Sequence, residues 1–339
     1  MRSVVLGVVL AILLVLTGCI REEAAEVSRD ETSRIDPVLW AIDAQAQRLV
    51  SEHIVPSISI AVARHGKILL EAGYGVANVE SRAHADEHTR YPIASLTKQI
   101  TATAVMVLVE EGLVDLDAPL DEYLLGSDRL QAHAGNAVDA TVARVASHTA
   151  GLPLHANHFF LGEAAEPAPV DETIRRYGMI VSEPGKRYQY SNLGFGMLGL
   201  LIESVSHAGS DAGSVGYATF VEQRVFGPLG MDDAFVYVGG RLPTESAVKY
   251  DSSGASIPPC VTDAQAATSI YASAHDLIRF AMFHLKDDVP NQQQILSDLA
   301  IDRMHRPVSD VGPIKSWHCP GSGSGLGWFV GVASDGTKI

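Results

Sequence analysis

The sequence is poor in cysteine, in positive charge and in aromatic side chains. Its 339 residues include three cysteines, 25 lysines and arginines against 40 aspartates and glutamates, and 6% aromatic residues. The formal charge of −15 and the lack of a basic cluster argue against a nucleic-acid partner, because binding to phosphates requires a positively charged face. No C-x-x-C pair occurs, so a zinc knuckle or dithiol redox motif has no support.

Several common motifs are also missing. The chain has no internal repeat, no G-x-S-x-G sequence and no H-E-x-x-H sequence. Its thirteen histidines are densest in HADEH at 84–88 and HANH at 155–158. We interpret both clusters as solvated surface and predict neither a metal ion nor another cofactor.

The N-terminus carries an apolar run that is too short to cross a bilayer. Arg2 precedes the run Val4 to Leu16, which as a helix would rise about 20 Å against a hydrocarbon core of about 30 Å. Residues 1–18 are therefore predicted to be a signal peptide. Leu16-Thr17-Gly18-Cys19 resembles the bacterial lipobox, so we expect cleavage before Cys19 and lipidation there. The alternative is an ordinary signal peptide with a chance cysteine.

The signal peptide predicts a place in the bacterial cell envelope. A lipid anchor at Cys19 would hold the protein at a membrane, facing the periplasm or the exterior, with polar residues 19–35 as a tether. In that oxidising setting the other cysteines, Cys260 and Cys319, either form a disulfide or remain two unpaired thiols.

The remaining chain, 36–339, has the length and apolar content of one large domain. Asp36-Pro37 is typical of an N-cap and first-turn proline, so a helix is predicted to begin there. Alternating residues then predict two strands joined by a turn at His65-Gly66. Helical patterns dominate afterwards, and we predict a helical lobe at about 100–250 within an α/β framework.

The stretch IASLTKQITATAVMVLVEEG at 93–112 predicts a buried helix that carries a serine and a lysine at its start. Ser95 and Lys98 are three residues apart, which on a helix places them on one face about 5–6 Å apart at Cβ. Desolvation lowers the pKa of a lysine, and a neutral amine can accept the serine proton. Ser246 and Lys249 have the same spacing, but no apolar helix follows them.

A second polar group, Tyr190-Ser191-Asn192, precedes another apolar helix. A tyrosine hydroxyl beside a lysine ammonium can act as general base, and an asparagine amide can donate to a substrate carbonyl. The alternative is a turn that caps the helix, with Tyr190 packed and Asn192 bonded to backbone.

Together these stretches resemble the superfamily of serine β-lactamases and penicillin-binding proteins, in the branch with class C β-lactamases, D-Ala-D-Ala carboxypeptidases and related esterases. The resemblance runs from about Ile54 to Val332. Its stretches are Gly73-Tyr74-Gly75, Ala77-Asn78, Tyr91 to Lys98, Glu110 to Leu113, Leu116 to Pro119, Ser147 to Pro153, Tyr190 to Asn192, Pro228 to Met231, Tyr271 to Asp276, and Gly325 to Trp328.

The resemblance implies an α/β (α+β) fold: an antiparallel sheet flanked by helices, with an all-helical lobe beside it. It implies that Ser95 is the acylated nucleophile, that Lys98 deprotonates or orients it, and that Tyr190 acts as general base and then protonates the leaving group. Asn192 would hold the substrate, and His155 falls where relatives place a cleft-lining Gln or Asn.

One motif of the family has no counterpart in place. A Lys-Thr-Gly or His-x-Gly sequence is expected shortly after Gly325 to Trp328, but the chain reads to Ile339 without it. We therefore expect the sequence to be C-terminally incomplete, without the last strands and helix of the sheet.

Two functions are consistent with these features. The first is an exported serine hydrolase that acts on β-lactams, D-Ala-D-Ala-type peptides of peptidoglycan or small esters. The second is a non-catalytic envelope lipoprotein that binds peptides or cell-wall fragments in a degenerate cleft. The combination of Ser95, Lys98, Tyr190 and Asn192 favours the first, and the missing motif favours the second.

Overall fold

The computed structural model describes residues 29–124, 129–155, 157–206, 216–308 and 323–331, with side chains from residue 37 onward. The helices are α1 (Arg29–Ser51), α2 (Thr97–Glu110), α3 (Val142–Ala146), α4 (Val170–Tyr177), α5 (Asn192–Val205), α6 (Tyr217–Val221), α7 (Gly227–Leu229), α8 (Gln265–Thr268), α9 (Ala274–His284) and α10 (Asp298–Met304). The strands are β1 (Ser57–Arg64), β2 (Lys67–Asn78), β3 (Ala83–His84), β4 (Tyr91–Pro92), β5 (Gln131–Ala132), β6 (His158–Phe160), β7 (Met179–Ile180), β8 (Phe235–Val236), β9 (Lys249–Tyr250), β10 (Ser256–Ile257), β11 (Cys260–Thr262), β12 (Ile270–Ala272), β13 (Gly323–Ser324) and β14 (Phe329–Val330).

The chain divides into two compact units. Of the described residues, those within 1–91, 243–257 and 272–290 form the first unit, and those within 92–242, 258–271 and 291–339 form the second. The predicted helical lobe of about 100–250 falls mainly in the second unit, but 243–257 belongs to the first. The fold is mixed α/β with mainly antiparallel strand pairs and helices, as the sequence predicts.

The first unit is built on the hairpin β1–β2. The two strands are antiparallel, with Ser57 opposite Gly75 and Arg64 opposite Lys67. His65 and Gly66 both have positive φ, at 50° and 70°, which is the backbone that a tight hairpin turn requires. This confirms the predicted hairpin. Helices α1 and α9 pack against its strands.

The predicted start of the first helix is wrong. Helix α1 begins at Arg29, inside the segment interpreted as a tether, and Pro37 lies within it. A proline inside a helix loses one backbone hydrogen bond and costs roughly 3 kcal/mol, yet a 23-residue helix retains most of its other bonds. The pair Asp36-Pro37 therefore does not mark a boundary here.

The second unit is organised around the apolar helices α2 and α5. All residues of α2 from Thr97 to Leu108 except Gln99 are buried, which is typical of a core helix. Helix α5 begins where the Ser191 hydroxyl accepts a hydrogen bond from the Gly194 N–H, 2.9 Å away. The two helices pack against each other and against α8, so α2 is held on two sides.

Helix α8 approaches α5 closely because α5 carries a glycine at the contact. A Cβ atom on Gly199 would lie 2.7 Å from the Ala266 Cβ, closer than van der Waals contact allows. The close approach brings the backbone of Ala266 and Ala267 against α2, where Thr101 Oγ1 donates to the Ala266 carbonyl at 2.7 Å. No helix within the described ranges is long and apolar enough to cross a membrane.

Candidate active site

The predicted nucleophile lies on a strained turn at the start of α2. Ala94 has a φ of 47°, a left-handed conformation that costs roughly 1–2 kcal/mol for a residue with a Cβ. Ser95 follows it in a turn of 3-10 helix and is exposed, whereas Lys98, one turn further, is 3% exposed. The two side chains therefore span the boundary between solvent and core. Strain of this kind is concentrated at functional sites.

Three of the predicted residues meet at Ser95. Lys98 Nζ lies 3.3 Å from Ser95 Oγ, and the Tyr190 hydroxyl donates to Ser95 Oγ at 2.8 Å. Lys98 Nζ also lies over the Tyr190 ring, 4.8 Å from its centroid. Lys98 lies in the first turn of α2, Ser95 in the 3-10 turn just before it, and Tyr190 in the segment before α5.

Lys98 is surrounded by protein rather than water. Its Nζ donates to the Ala267 carbonyl at 2.9 Å, which fixes the amine beside Ser95. Desolvation by burial lowers the pKa of Lys98 from 10.5 to about 7. The neutral amine is therefore accessible near neutral pH, and its lone pair can accept a proton.

The pKa of Tyr190 is shifted in the opposite direction. Burial raises the pKa of Tyr190, and its hydrogen bond with Ser95 offsets this only in part. A phenol with a raised pKa keeps its proton at neutral pH and donates it, as it does to Ser95 Oγ. The directions of the two pKa shifts therefore favour Lys98 as the proton acceptor and Tyr190 as the proton donor.

Asn192 is the first residue of α5, and its side chain is buried. Its backbone N–H donates to the Leu154 carbonyl at 2.8 Å. Within the described part of the chain, however, its Oδ1 atom has no hydrogen-bond partner. A buried oxygen without a partner is costly, so this atom is a candidate acceptor, and its contact with a substrate stays a prediction.

His155 is placed differently from the other predicted site residues. Its Nε2 lies 2.8 Å from Asp263 Oδ2, and its ring stacks on Tyr177 with centroids 4.3 Å apart. The same carboxylate accepts from the Asn157 side chain at 3.0 Å. The interactions of His155 are thus with the protein, and contact with a substrate stays a prediction.

The histidine clusters differ in exposure. His84, His88 and His158 are exposed, as predicted. The interpretation as solvated surface is wrong for His155, whose side chain is only 9% exposed because Asp263 and Tyr177 cover it. Among the described residues, no group of three or more His, Cys, Asp or Glu side chains is arranged to hold a metal ion.

Two groups at the site were not singled out in the sequence. The first is the Ala267 carbonyl, which no side-chain motif could reveal. The second is His148, whose ring lies 4.4 Å from the Tyr190 ring between centroids. The only signal for His148 was its place in the stretch Ser147 to Pro153, one of those that carry the resemblance.

The predicted cysteine features remain untested. Cys19 and Cys319 lie outside the described residues. Cys260 lies on β11 and pairs with Phe160 on β6. The disulfide between Cys260 and Cys319 and the lipidation of Cys19 therefore stay predictions.

Comparison with known proteins agrees with this geometry. A family model described as Beta-lactamase matches residues 42–338. The chain belongs to the beta-lactamase family. Penicillin-binding protein 4* of Bacillus subtilis (strain 168) is 27% identical over 199 residues, which cover 57% of this chain and 40% of that protein. Protein flp of Staphylococcus aureus (strain N315) is 24% identical over 208 residues, covering 59% of this chain and 39% of that protein. The chain thus matches about two fifths of the length of these curated relatives.

Solved structures of the beta-lactamase family share the fold. The octameric penicillin-binding protein homologue from Pyrococcus abyssi superposes with a TM-score of 0.69 at 25% identity, over 88% of this chain and 66% of that chain. A class C beta-lactamase gives a TM-score of 0.68 at 19% identity, over 91% of this chain and 77% of that chain. The second likeness concerns the fold alone. The superfamily is one of serine hydrolases, and this member brings Lys98 and Tyr190 within hydrogen-bond distance of Ser95.

Proposed function

We propose that the protein is a serine hydrolase that forms an acyl-enzyme at Ser95. The observation that carries this proposal is the contact of Ser95 Oγ with both Lys98 Nζ, at 3.3 Å, and the Tyr190 hydroxyl, at 2.8 Å. A base and an acid that both contact an exposed serine provide what nucleophilic catalysis requires.

Acylation uses the two neighbours of Ser95 in turn. Neutral Lys98 takes the Ser95 proton while Oγ attacks the substrate carbonyl, and a bond forms between Oγ and the carbonyl carbon. When the tetrahedral intermediate collapses, Tyr190 donates its proton to the leaving nitrogen or oxygen. The Lys98 ammonium, which lies over the Tyr190 ring, stabilises the phenolate left behind.

Deacylation reverses these transfers. The Tyr190 phenolate takes a proton from water as the water attacks the acyl carbonyl. The Lys98 ammonium then returns its proton to Ser95 Oγ as the acid leaves, so all three side chains regain their starting states. The net reaction is hydrolysis of one acyl bond.

The proposed substrates are small acyl compounds: β-lactams, D-Ala-D-Ala-type peptides from peptidoglycan, or small esters. Asn192 Oδ1 supports the peptides and the β-lactams that carry an acylamino side chain, because both present an amide N–H from which it could accept. Simple esters such as p-nitrophenyl acetate carry no such N–H.

The test is covalent labelling of the intact protein. A fluorescent penicillin and p-nitrophenyl acetate are offered to the wild type, to Ser95→Ala and to Ser246→Ala, and adducts are measured by intact mass. We expect labelling of the wild type and of Ser246→Ala, and none of Ser95→Ala. No adduct and no turnover in a folded wild-type protein would refute the hydrolase and favour a non-catalytic binding protein.

We further propose that the protein is exported and anchored in the cell envelope by a lipid on Cys19. The lipobox-like sequence Leu16 to Cys19 supports this. In a bacterial host, the wild type is expected to partition with membranes and to incorporate labelled palmitate. Incorporation of labelled palmitate into the Cys19→Ser variant would contradict the proposal.

A further inference from the structure

His148 is a buried residue that the proposed reaction does not use. It lies in the turn after α3, is 5% exposed and has a φ of 59°, which is unusual for a residue with a side chain. Its neighbours hold it in place: the Ser147 N–H donates to the Ala143 carbonyl at 2.9 Å, and the Thr149 N–H donates to the Arg144 carbonyl at 2.7 Å. The strained backbone of His148 is therefore rigidly supported.

His148 binds the backbone on both sides of Tyr190. The Gln189 N–H donates to the His148 carbonyl at 2.7 Å. The Ser191 N–H donates to His148 Nδ1 at 3.1 Å. One residue thus accepts hydrogen bonds from the residues immediately before and after Tyr190. Because Nδ1 accepts, the ring proton is on Nε2.

The ring of His148 also packs on the Tyr190 side chain. The centroids of these two rings are 4.4 Å apart, with an angle of 35° between the planes. The centroid of the Phe195 ring, in α5, lies 5.1 Å from that of His148. Burial, and to a smaller extent the charge of Lys98, lower the pKa of His148 to about 3. The ring therefore stays neutral, and Nδ1 keeps its lone pair, throughout the pH range of the proposed reaction.

A histidine that only fills space would not account for these bonds. Packing needs volume, whereas the bond from Ser191 needs an acceptor at one position of the ring. Ser191 is itself buried, at 2% exposure, so without Nδ1 its N–H would lack a partner and shift to find one. Such a shift would move Tyr190, the residue that precedes Ser191 in the chain.

We propose that His148 is a positioning residue: by holding the backbone at Gln189 and Ser191 and packing on the Tyr190 ring, it keeps the Tyr190 hydroxyl on Ser95 Oγ. This rests on the proposed function in that Tyr190 is taken as the proton donor. His148 itself does not contact the reacting atoms.

Two variants separate the acceptor from the ring. His148→Ala removes both, whereas His148→Asn removes the ring but restores an acceptor oxygen near the position of Nδ1, and asparagine tolerates positive φ. With an alkyl ester as substrate, whose alkoxide leaving group must be protonated, we expect His148→Ala to lower kcat by about 30–100-fold with little change in KM, because a misplaced donor slows the chemical step. His148→Asn should recover most of that loss. Equal losses in the two variants would overturn the role assigned to Nδ1.

A double-mutant cycle distinguishes positioning from general destabilisation. Tyr190→Phe in the wild type should lower kcat by about 100-fold or more, but by less than about threefold when His148 is already alanine, because the donor is then misplaced. Fully multiplicative effects would overturn the proposal. Thermal melts of each variant ensure that rates refer to folded protein.

A crystallographic comparison does not depend on activity. The Tyr190 hydroxyl should leave Ser95 Oγ in His148→Ala and return to hydrogen-bond distance in His148→Asn. If the wild type proves inactive, the hydrolase proposal fails and these structures alone decide the positioning role. A Tyr190 hydroxyl that stays on Ser95 in His148→Ala would refute it.

Discussion

The chain contains two serine–lysine pairs with the same spacing and very different surroundings. Ser95 and Lys98 begin a helix, and their side chains approach to 3.3 Å. Ser246 and Lys249 belong to the first unit, and Lys249 begins the strand β9 instead. Three residues of extended chain span about 10 Å, against about 5–6 Å between Cβ atoms on a helix face. A serine and a lysine three residues apart can therefore contact each other only where the chain between them is helical.

The two pairs also differ in which side chain is buried. In the helical pair the serine is exposed and the lysine is buried, whereas in the other pair the serine is buried and the lysine is half-buried. A nucleophile must be accessible to a substrate. A lysine that acts as a base must be desolvated, because desolvation lowers its pKa toward neutral pH. Only Ser95 and Lys98 meet both conditions.

The largest difference is expected when each lysine is replaced by methionine. Lys98→Met should lower the rate of acylation by a fluorescent penicillin by about 10³-fold, because the general base is lost. Lys249→Met should change the rate less than twofold. Stopped-flow or gel-based labelling measures both. Comparable losses in the two variants would show that the helical pair is not special.

Lys98→Met should lower the acylation rate but raise the stability of the protein. Removing the desolvated Lys98 amine should raise the free energy of unfolding by about 2–4 kcal/mol near pH 7, since its pKa is lowered from 10.5 to about 7 on folding. The unfolded chain binds this proton more tightly, so the native protein gains stability as pH rises from about 7 to 10.5. The advantage of Lys98→Met should therefore shrink across that window.

Urea denaturation at several pH values measures this effect. Lys249→Met is the matched control and should shift the unfolding free energy by less than about 1 kcal/mol. If Lys98→Met is less stable than the wild type at pH 6, desolvation of the lysine amine does not destabilise the native protein as described above.

The pH dependence of the acylation rate should follow the deprotonation of the Lys98 amine. The base must be neutral, so the rate at about pH 6 should be roughly one tenth of the rate at pH 8, with a plateau above. The wild type and Ser246→Ala should give the same profile. A rate that climbs until the pH exceeds 10 would instead assign the base to Tyr190, whose pKa is raised by burial.

The smallest effect is expected at the turn before the nucleophile. Ala94→Gly relieves the left-handed backbone at φ 47° but adds freedom to the unfolded chain, so a net gain of about 0.5 kcal/mol is expected. Ala247→Gly, beside the other serine, removes a buried methyl group and should cost about 1 kcal/mol. Thermal melts of the two variants compare the turns, and a loss at Ala94 equal to that at Ala247 would argue against strain.

Local patterns predicted several elements of the fold, including the two helices next to the site. The apolar stretch after Ser95 forms α2, the stretch after Ser191 forms α5, and the turn at His65-Gly66 closes a hairpin. Each depends on periodicity or turn chemistry within a few residues. The start of α1 was missed because Asp36-Pro37 has the local features of a cap, while the helix extends through the proline.

Long-range contacts were beyond such patterns. The Asp263 carboxylate is 108 positions from His155, and nothing near either residue predicted that they pair. The Ala267 carbonyl, 169 positions from Lys98, holds the lysine amine through backbone alone. His148 lies in a stretch that was noticed, but its contact with Tyr190 depends on how α3 and α5 pack.

The sequence by itself determined that a serine and a lysine share one helix face, because helical spacing is a local property of the chain. Only the tertiary structure decided that Lys98 is desolvated beside the Ala267 carbonyl and that Tyr190 reaches Ser95 Oγ. Burial and hydrogen-bond partners come from segments distant in sequence, and these set the protonation states on which the chemistry depends.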